Sequence, residues 1–258
     1  MRATWAVMLY TMRDGIRRKA WFPFAVLILM GAALIVLQFG FTVKITAATP
    51  FADNIISSFF FFWAWGTFIT TVSLGATSIP NERRSQTLFA LPISRWELIA
   101  GKIIGTQILA SVILAVGYAV SIGLAYRQHL AVTPYAHFGF ATALTATFVV
   151  LCLSVPLGVR ASPMVAGTIT AAVLMMNSIL EGVGNATDSA WMREVSSRLP
   201  YQIPPQPINF AFFNSVNMPS QYIDYPLLGS NALIAVGFLF AMTILTRKME
   251  LPSPEGRG

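Results

Sequence analysis

The sequence predicts an all-α membrane protein with six transmembrane helices. Of its 258 residues, 55% are hydrophobic and only 10% are charged, whereas a soluble domain carries about 25% charged residues. Its apolar runs have the length of about 20 residues that crosses a bilayer as a helix, and none alternates as a membrane β-strand does. Such runs leave no room for a separate soluble domain, so residues 1–258 are predicted to form a single transmembrane domain.

Residues 1–20 are predicted to form an elbow helix, that is, an amphipathic helix lying in the membrane interface before the first span. Arginines fall largely on other faces than the apolar side chains, which recur at helical spacing: Trp5, Met8, Leu9, Met12 and Ile16. The alternative is a cleaved signal peptide ending near Ala48. The apolar run after residue 20 is longer than a signal core, which favours the elbow helix.

Six apolar runs are the predicted spans, at residues 21–41, 55–79, 101–125, 137–159, 164–183 and 227–246. Most of the 17 Lys and Arg residues fall at the N-terminus, between the second and third spans, and in the C-terminal tail. Segments rich in Lys and Arg stay in the cytoplasm, so both termini are predicted to be cytoplasmic. The net charge of +7 is then explained by membrane topology and not by a nucleic-acid partner. Gly101 and Gly105 can permit close helix contact, expected within one subunit.

No catalytic, cofactor-binding or metal-binding residues are predicted. Gly101-Lys102 lacks the upstream glycine of a phosphate-binding loop and is followed by Ile103. Cys152 is the single cysteine, and His129 and His137 are too far apart in sequence for a helical metal pair. The chain is therefore expected to be non-catalytic and to bind no metal.

The predicted spans contain few groups suited to ion coupling, since their deep polar residues, such as Asn177, are neutral. Glu181, near the outer end of the fifth span, is either an interfacial carboxylate or part of a transport pathway. Phe60 and Trp63 in the second span either line a pathway or pack in the core.

Residues 184–226 form the long extracytoplasmic connection. Its prolines break long helices and its aromatic residues prefer an interface, so short re-entrant or interfacial helices are expected there, one of them at residues 191–199. Phe212 and Phe213 are candidates for an outer gate, and the alternative is a surface loop with an aromatic belt.

Residues 81–100 are the charged segment between the second and third spans, and charge this dense must lie in water or at a protein contact. We name it the coupling segment, because it can serve as a port through which a partner moves the bundle. Asn81 is expected to cap a helix that ends before Pro92, and Ser94 to cap a second helix that continues into the third span. The alternative is a basic loop that only fixes topology.

This segment resembles the signature of the type 2 ABC transporter permeases. The matching residues are Glu82-Arg83-Arg84-Ser85, Leu91-Pro92-Ile93-Ser94-Arg95, Glu97-Leu98-Ile99 and Gly101-Lys102. The resemblance implies a homodimer in the lipid bilayer of a bacterial or archaeal cytoplasmic membrane, paired with two copies of a separate ABC ATPase subunit that binds ATP and Mg²⁺. It assigns ATPase coupling to this set: Glu82, Arg83, Arg84, Leu88, Phe89, Arg95 and Glu97.

Three functions remain open at this stage. The first is the permease subunit of an exporter driven by ATP. The second is a permease-like scaffold that passes mechanical work to an extracytoplasmic protein without moving cargo, and the third is a secondary carrier. The nature of the cargo does not follow from the sequence, because apolar pathway residues and packing residues look alike.

Overall fold

The computed structural model describes residues 2–17, 49–85, 94–127, 132, 134–174, 176–198 and 225–246. Within these residues the backbone is helical apart from short turns, and no strand occurs, which confirms the all-helical prediction. The helices are α1 (Arg2–Arg17), α2 (Thr49–Ser85), α3 (Arg95–Arg127), α4 (Pro134–Arg160), α5 (Pro163–Leu174), α6 (Met176–Ala186), α7 (Ala190–Arg198) and α8 (Tyr225–Thr246).

Four predicted spans lie within single helices, since residues 55–79, 101–125, 137–159 and 227–246 fall in α2, α3, α4 and α8. Among the described residues, two helical stretches are long and apolar enough to cross a membrane, Trp96–Arg127 and Ala136–Val159. The region predicted as a single fifth span contains both α5 and α6, on either side of position 175. The first predicted span, 21–41, lies outside the described residues.

Helix α4 is the centre of the bundle, because α2, α3, α5 and α8 all pack against it. Its middle is formed by small and β-branched residues, and Val149, Val150 and Cys152 have no exposed surface. Side chains of this size let neighbouring helices approach closely, and dispersion contacts at close approach stabilise helix pairs in a membrane. The main core cluster therefore runs along α4 and joins residues of α1, α2, α3 and α8.

The contact between α2 and α4 depends on a glycine. A methyl group at Gly75 would come within 2.0 Å of the Ser154 hydroxyl oxygen and 3.3 Å of Leu151 Cδ2. Both neighbours belong to α4, and Ser154 and Leu151 are fully buried. The absence of a side chain at Gly75 thus sets how closely these two helices pack.

Helix α1 confirms the predicted helix at the N-terminus and divides its apolar residues between two faces. Met8 was predicted to face the membrane interface with the other apolar residues, but it is only 5% exposed. Its backbone carbonyl lies against Gly105 of α3. Trp5, Leu9 and Ile16 are 62%, 49% and 61% exposed. They recur at intervals of four and seven residues and so share one side of the helix. This second face is the one available to a membrane interface.

The prediction that Asn81 caps a new helix is wrong. Helix α2 continues without interruption from the apolar span through Pro80 and Asn81 to Ser85. Proline lacks the backbone N–H and costs one hydrogen bond in a helix interior, but its fixed φ is helical, so a strong flanking helix can continue through it. The first part of the coupling segment is therefore an extension of α2.

Candidate functional site

The candidate site is the coupling segment together with the helices that carry it. Glu82, Arg83 and Arg84 lie in the last turn of α2, and Arg95 is the first residue of α3. Leu88 and Phe89 lie outside the described residues. Helix α2, which leads into the segment, packs against α3, which follows it. The two ends of the segment are therefore attached to neighbouring helices.

The start of α3 is fixed by a capping box formed by Ser94 and Glu97. The Glu97 backbone N–H donates to the Ser94 hydroxyl oxygen at 3.3 Å. In return, Glu97 Oε2 accepts from the Ser94 backbone N–H at 3.1 Å and from the Ser94 hydroxyl at 2.8 Å. These bonds satisfy backbone donors that a helix start leaves unpaired. The prediction that Ser94 caps this helix is confirmed, and Glu97 has a structural role in the same cap.

Just behind this cap, two glycines of α3 form a seam against α1. A methyl group at Gly101 would lie 2.7 Å from Val7 Cβ, and one at Gly105 would lie 2.8 Å from the Met8 carbonyl oxygen and 2.9 Å from Thr11 Cβ. The predicted close contact at these two glycines is confirmed, and the element that occupies it is the N-terminal helix of the same chain. The beginning of α3 is thus packed directly on α1.

Lys102 lies between the two glycines and is only 2% exposed. Its ammonium nitrogen stands 5.3 Å from the centre of the Tyr10 ring, a distance at which a cation is attracted to the aromatic face. Lys102 also borders a small cavity of about 30 Å³, whose other walls come from α1, α2 and α3: Thr11, Asp14, Gly15, Leu74, Thr77, Ser78, Thr106 and Leu109. In the sequence, Lys102 is one of several basic residues between the second and third spans. In the structure it is buried between helices and contacts Tyr10 of α1.

Phe60 and Trp63, the predicted pathway residues of the second span, are 4% and 8% exposed. The Trp63 indole N–H donates to the Ile113 carbonyl oxygen at 2.8 Å, and its ring lies over the position of Gly117. Phe60 contacts the Tyr118 ring edge to face, with centres 5.8 Å apart. Both side chains fill the contact between α2 and α3.

The C-terminal half of α3 and the N-terminal half of α4 meet at Tyr118, whose ring stacks on Phe140 with centres 4.7 Å apart. The Tyr118 hydroxyl and Nδ1 of His137 are hydrogen-bonded. No group of His, Cys, Asp and Glu side chains within the described ranges is arranged to hold a metal ion. His137 is accordingly placed as a partner of an aromatic cluster.

The outer connection begins with a hairpin of α6 and α7. The Ser189 N–H donates to the Gly184 carbonyl at 2.9 Å, across a turn in which Asp188 has a φ of 51°. Arg193 then donates to the Asp188 carboxylate at 2.9 Å. The bond across the turn and the left-handed residue are typical of a helix C-terminus. The predicted short helix at residues 191–199 corresponds to α7.

Of the residues predicted for a pathway or an outer gate, Asn177 and Glu181 lie in α6, and Glu181 is exposed. Phe212 and Phe213 lie outside the described residues. The structure therefore places Phe60 and Trp63 in two separate clusters of the contact between α2 and α3, and it places Glu181 on another helix, α6. Their roles in a pathway stay predictions.

Gln107 is a polar residue whose contact the sequence did not reveal. Its side-chain N–H groups donate to the Leu144 carbonyl and to the Thr147 hydroxyl, both at 3.2 Å, which ties α3 to α4 inside an apolar region. The available signal was a lone amide in an apolar span. Such residues commonly bond across helices, but the partner depends on packing that a single sequence does not show.

Comparison with known proteins gives one family. Residues 5–247 match the family model described as ABC-2 family transporter protein. No curated protein and no solved structure matches the chain. The match covers nearly the whole chain, including α1, both ends of the coupling segment and α8.

Proposed function

The chain belongs to the ABC-2 family of transporter proteins and is a type 2 ABC transporter permease, an integral membrane protein. From this premise we propose that it couples ATP hydrolysis by a separate ATPase subunit to export across a bacterial or archaeal cytoplasmic membrane. It does so as a homodimer bound to two ATPase subunits, which bind the ATP and Mg²⁺. An extracytoplasmic protein is a further candidate partner, at the outer connection.

We further propose the topology predicted from the basic residues, with six spans and both termini in the cytoplasm. Excess Lys and Arg keep short loops inside, and the exposed arginines of α1, Arg13 and Arg17, suit the anionic inner leaflet. This orientation places the coupling segment in the cytoplasm, where an ATPase can reach it.

The observation that supports coupling most directly is the way the two ends of the segment are attached. One end is the direct continuation of α2 through Ser85, and the other begins at the Ser94 and Glu97 capping box of α3. Both described ends of the segment are helical and continue directly into the bundle. A movement of the segment can thus be transmitted to α2 and α3 without a flexible linker at these ends. A loop that only fixed topology would need neither feature.

The test is assembly of the complex with charge-reversed variants. Glu82→Arg and Arg84→Glu should weaken co-purification of the ATPase or lower its activity in the surviving complexes, since reversed charges disturb complementarity at an interface. A Leu88→Asp, Phe89→Asp double variant tests the apolar side of the segment in the same way.

Arg127→Glu is the matched control, because Arg127 is an exposed arginine at the end of α3 that is proposed to be extracytoplasmic. It should leave assembly and ATPase activity at the wild-type level. If Glu82→Arg, Arg84→Glu and the double variant all behave like this control, the coupling segment is not the ATPase docking site. ATP hydrolysis by the purified chain alone would contradict the proposed division of labour.

A further inference from the structure

Lys102 is a buried charged residue that the proposed function does not use. It is 2% exposed, and transfer of an ammonium group out of water is costly unless charges or polar groups compensate it. Lysine is almost never buried this completely in the absence of partners. Its position therefore requires a favourable environment supplied by the surrounding helices.

That environment comes from three different helices. From α1, the Tyr10 ring centre lies 5.3 Å from the ammonium nitrogen, and Asp14 borders the same cavity. From α2, the hydroxyl-bearing residues Thr77 and Ser78 also line this cavity. An anionic carboxylate, an aromatic face and hydroxyl groups are the partners that a buried ammonium group needs.

The cavity itself has room for solvent. Its volume of about 30 Å³ exceeds the roughly 10–15 Å³ that one water molecule requires. Polar groups of several residues face it, which is the condition under which a buried water is stably held. A water molecule in this cavity can therefore bridge Lys102 and the hydroxyl groups that line it.

Two of the three helices that meet here, α2 and α3, are the ones attached to the coupling segment. Ser78 lies three residues before Asn81, at the inner end of the segment's α2 side, and Lys102 lies five residues after Glu97 on its α3 side. Asp14 belongs to the elbow helix α1, which the glycine seam already holds against α3. The cavity thus lies where α1 meets the two helices that hold the coupling segment. We call these two attachments, the end of α2 and the start of α3, the roots of the segment.

We propose that Lys102 is a positioning residue that locks the elbow helix α1 to both roots of the coupling segment, with Asp14 as its charged counterpart. The glycine seam supplies close packing between small groups, and close packing by itself does not fix one register of α1 on α3. A buried charge with partners on three helices fixes one register, because other registers leave the ammonium group without compensation. This inference rests on the proposed function, and it adds that α1 moves together with the segment.

The proposed role of Lys102 can be tested by how well residue 11 is protected from a thiol reagent. Thr11 is 7% exposed and faces α3 at Gly105, so a thiol there becomes accessible only when α1 moves away from α3. A Thr11→Cys variant, made in a Cys152→Ala background, is reacted with a membrane-impermeant maleimide in nanodisc-embedded permease–ATPase complex. Arg13→Cys in the same background is the matched control, since Arg13 is exposed on the same helix. The thiol at position 11 should be labelled slowly and the thiol at position 13 fast.

In this assay, Lys102→Met should speed labelling at position 11 on the order of tenfold, because removing one partner of a buried charged contact leaves the other uncompensated. Lys102→Arg, which keeps the charge and has the adjacent cavity for its larger head, should largely restore protection. Asp14→Asn should also speed labelling, by a smaller factor. Labelling at position 13 should not change in any of them.

A second readout separates positioning from mere stability. Lys102→Met should lower ATPase turnover per assembled complex several-fold, and Lys102→Arg should recover most of it. Wild-type protection of the position-11 thiol in Lys102→Met overturns the proposal, as does equal labelling in Lys102→Met and Lys102→Arg. If Lys102→Met yields no folded complex, wild-type protection in Asp14→Asn overturns it instead. The charge reversals at Glu82 and Arg84 test ATPase docking separately, so the two proposals fail independently.

Discussion

Helices α3 and α4 both contain an apolar stretch long enough to cross a membrane, yet they have very different surroundings. Of the most apolar part of each, 61% is buried in α4 and 28% in α3. Helix α4 is surrounded by four other helices. Helix α3 is packed tightly at its N-terminal end, against α1, and presents a row of exposed residues further along, Val112, Val116 and Val120.

The difference indicates a division of work between the two helices. A helix packed on most sides is held by many contacts and cannot move without disturbing them all. Helix α3 is held at discrete points, namely its cap, the glycine seam with α1, Gln107 and the Trp63 contact. It also follows the coupling segment directly. We infer that α4 is the fixed frame of the bundle and that α3 is the helix that moves against it.

The largest expected effect is at the frame. Gly75→Leu would place a side chain in space occupied by Ser154 and Leu151 of α4, and such overpacking should cost about 3 kcal/mol of stability. Gly237→Leu on α8 is the control, because no atom lies within 4 Å of a methyl group there. Thermal unfolding of both variants in detergent measures the difference. Equal stabilities would mean that tight packing on α4 does not hold the bundle at this position.

A smaller loss is expected on α3, where two glycines six residues apart differ in surroundings. A methyl group at Gly117 would lie 2.2 Å from the Trp63 ring, whereas one at Gly123 meets nothing within 4 Å. Gly117→Leu should cost about 2 kcal/mol, less than Gly75→Leu because α3 can shift outward. Gly123→Leu should be neutral or slightly stabilising, since leucine favours helix over glycine. The same unfolding assay applies, and a Gly117 loss as large as that at Gly75 would contradict the greater freedom of α3.

These glycines show how far the sequence could predict the structure. Helix positions followed from apolar runs, and the cap of α3 followed from Ser94 because capping is a local interaction, although the part of Glu97 in that cap was not predicted. The close approach at Gly101 and Gly105 was also predictable. Its partner α1 was not, since small residues permit a contact without specifying which helix makes it.

Other features depended on tertiary packing. Comparable apolar character in α3 and α4 predicts membrane crossing for both, but lipid and protein neighbours are equally apolar, so the burial of α4 could not be read from hydropathy. Lys102 looks like any basic residue near a span end, where a lysine ordinarily reaches to water. Its burial requires α1 to lie across it. Asn81 and Pro80 indicated a helix boundary by local preference, and the continuous helix α2 overrode that preference.

A smaller loss of stability is expected from removing the hydrogen bond between α2 and α3. Trp63→Phe keeps an aromatic ring but removes the N–H that donates to the Ile113 carbonyl, and should cost about 1 kcal/mol. Trp191→Phe is the control, because Trp191 is 64% exposed and lies on the outer hairpin. If the loss at Trp63 does not exceed that at Trp191, this bond is not one of the points that hold α3.

The smallest effect is expected at the start of α3, where the cap joins the helix to the coupling segment. Ser94→Ala removes the hydroxyl that accepts from the Glu97 N–H and donates to Glu97 Oε2, and loss of such a cap typically costs about 1 kcal/mol in the local stability of the first helical turn. Glu97→Gln should cost less, because glutamine also serves in a capping box.

Because the loss is confined to the first turn, global unfolding of the Ser94→Ala variant should change little. Hydrogen exchange should instead become several-fold faster for the amides of the first turn of α3 and stay unchanged in the middle of α4. ATPase activity in the assembled complex should fall in the same variant, since a frayed first turn transmits less of the segment's movement to α3. Fraying with full ATPase activity would show that the movement enters the bundle through α2 alone.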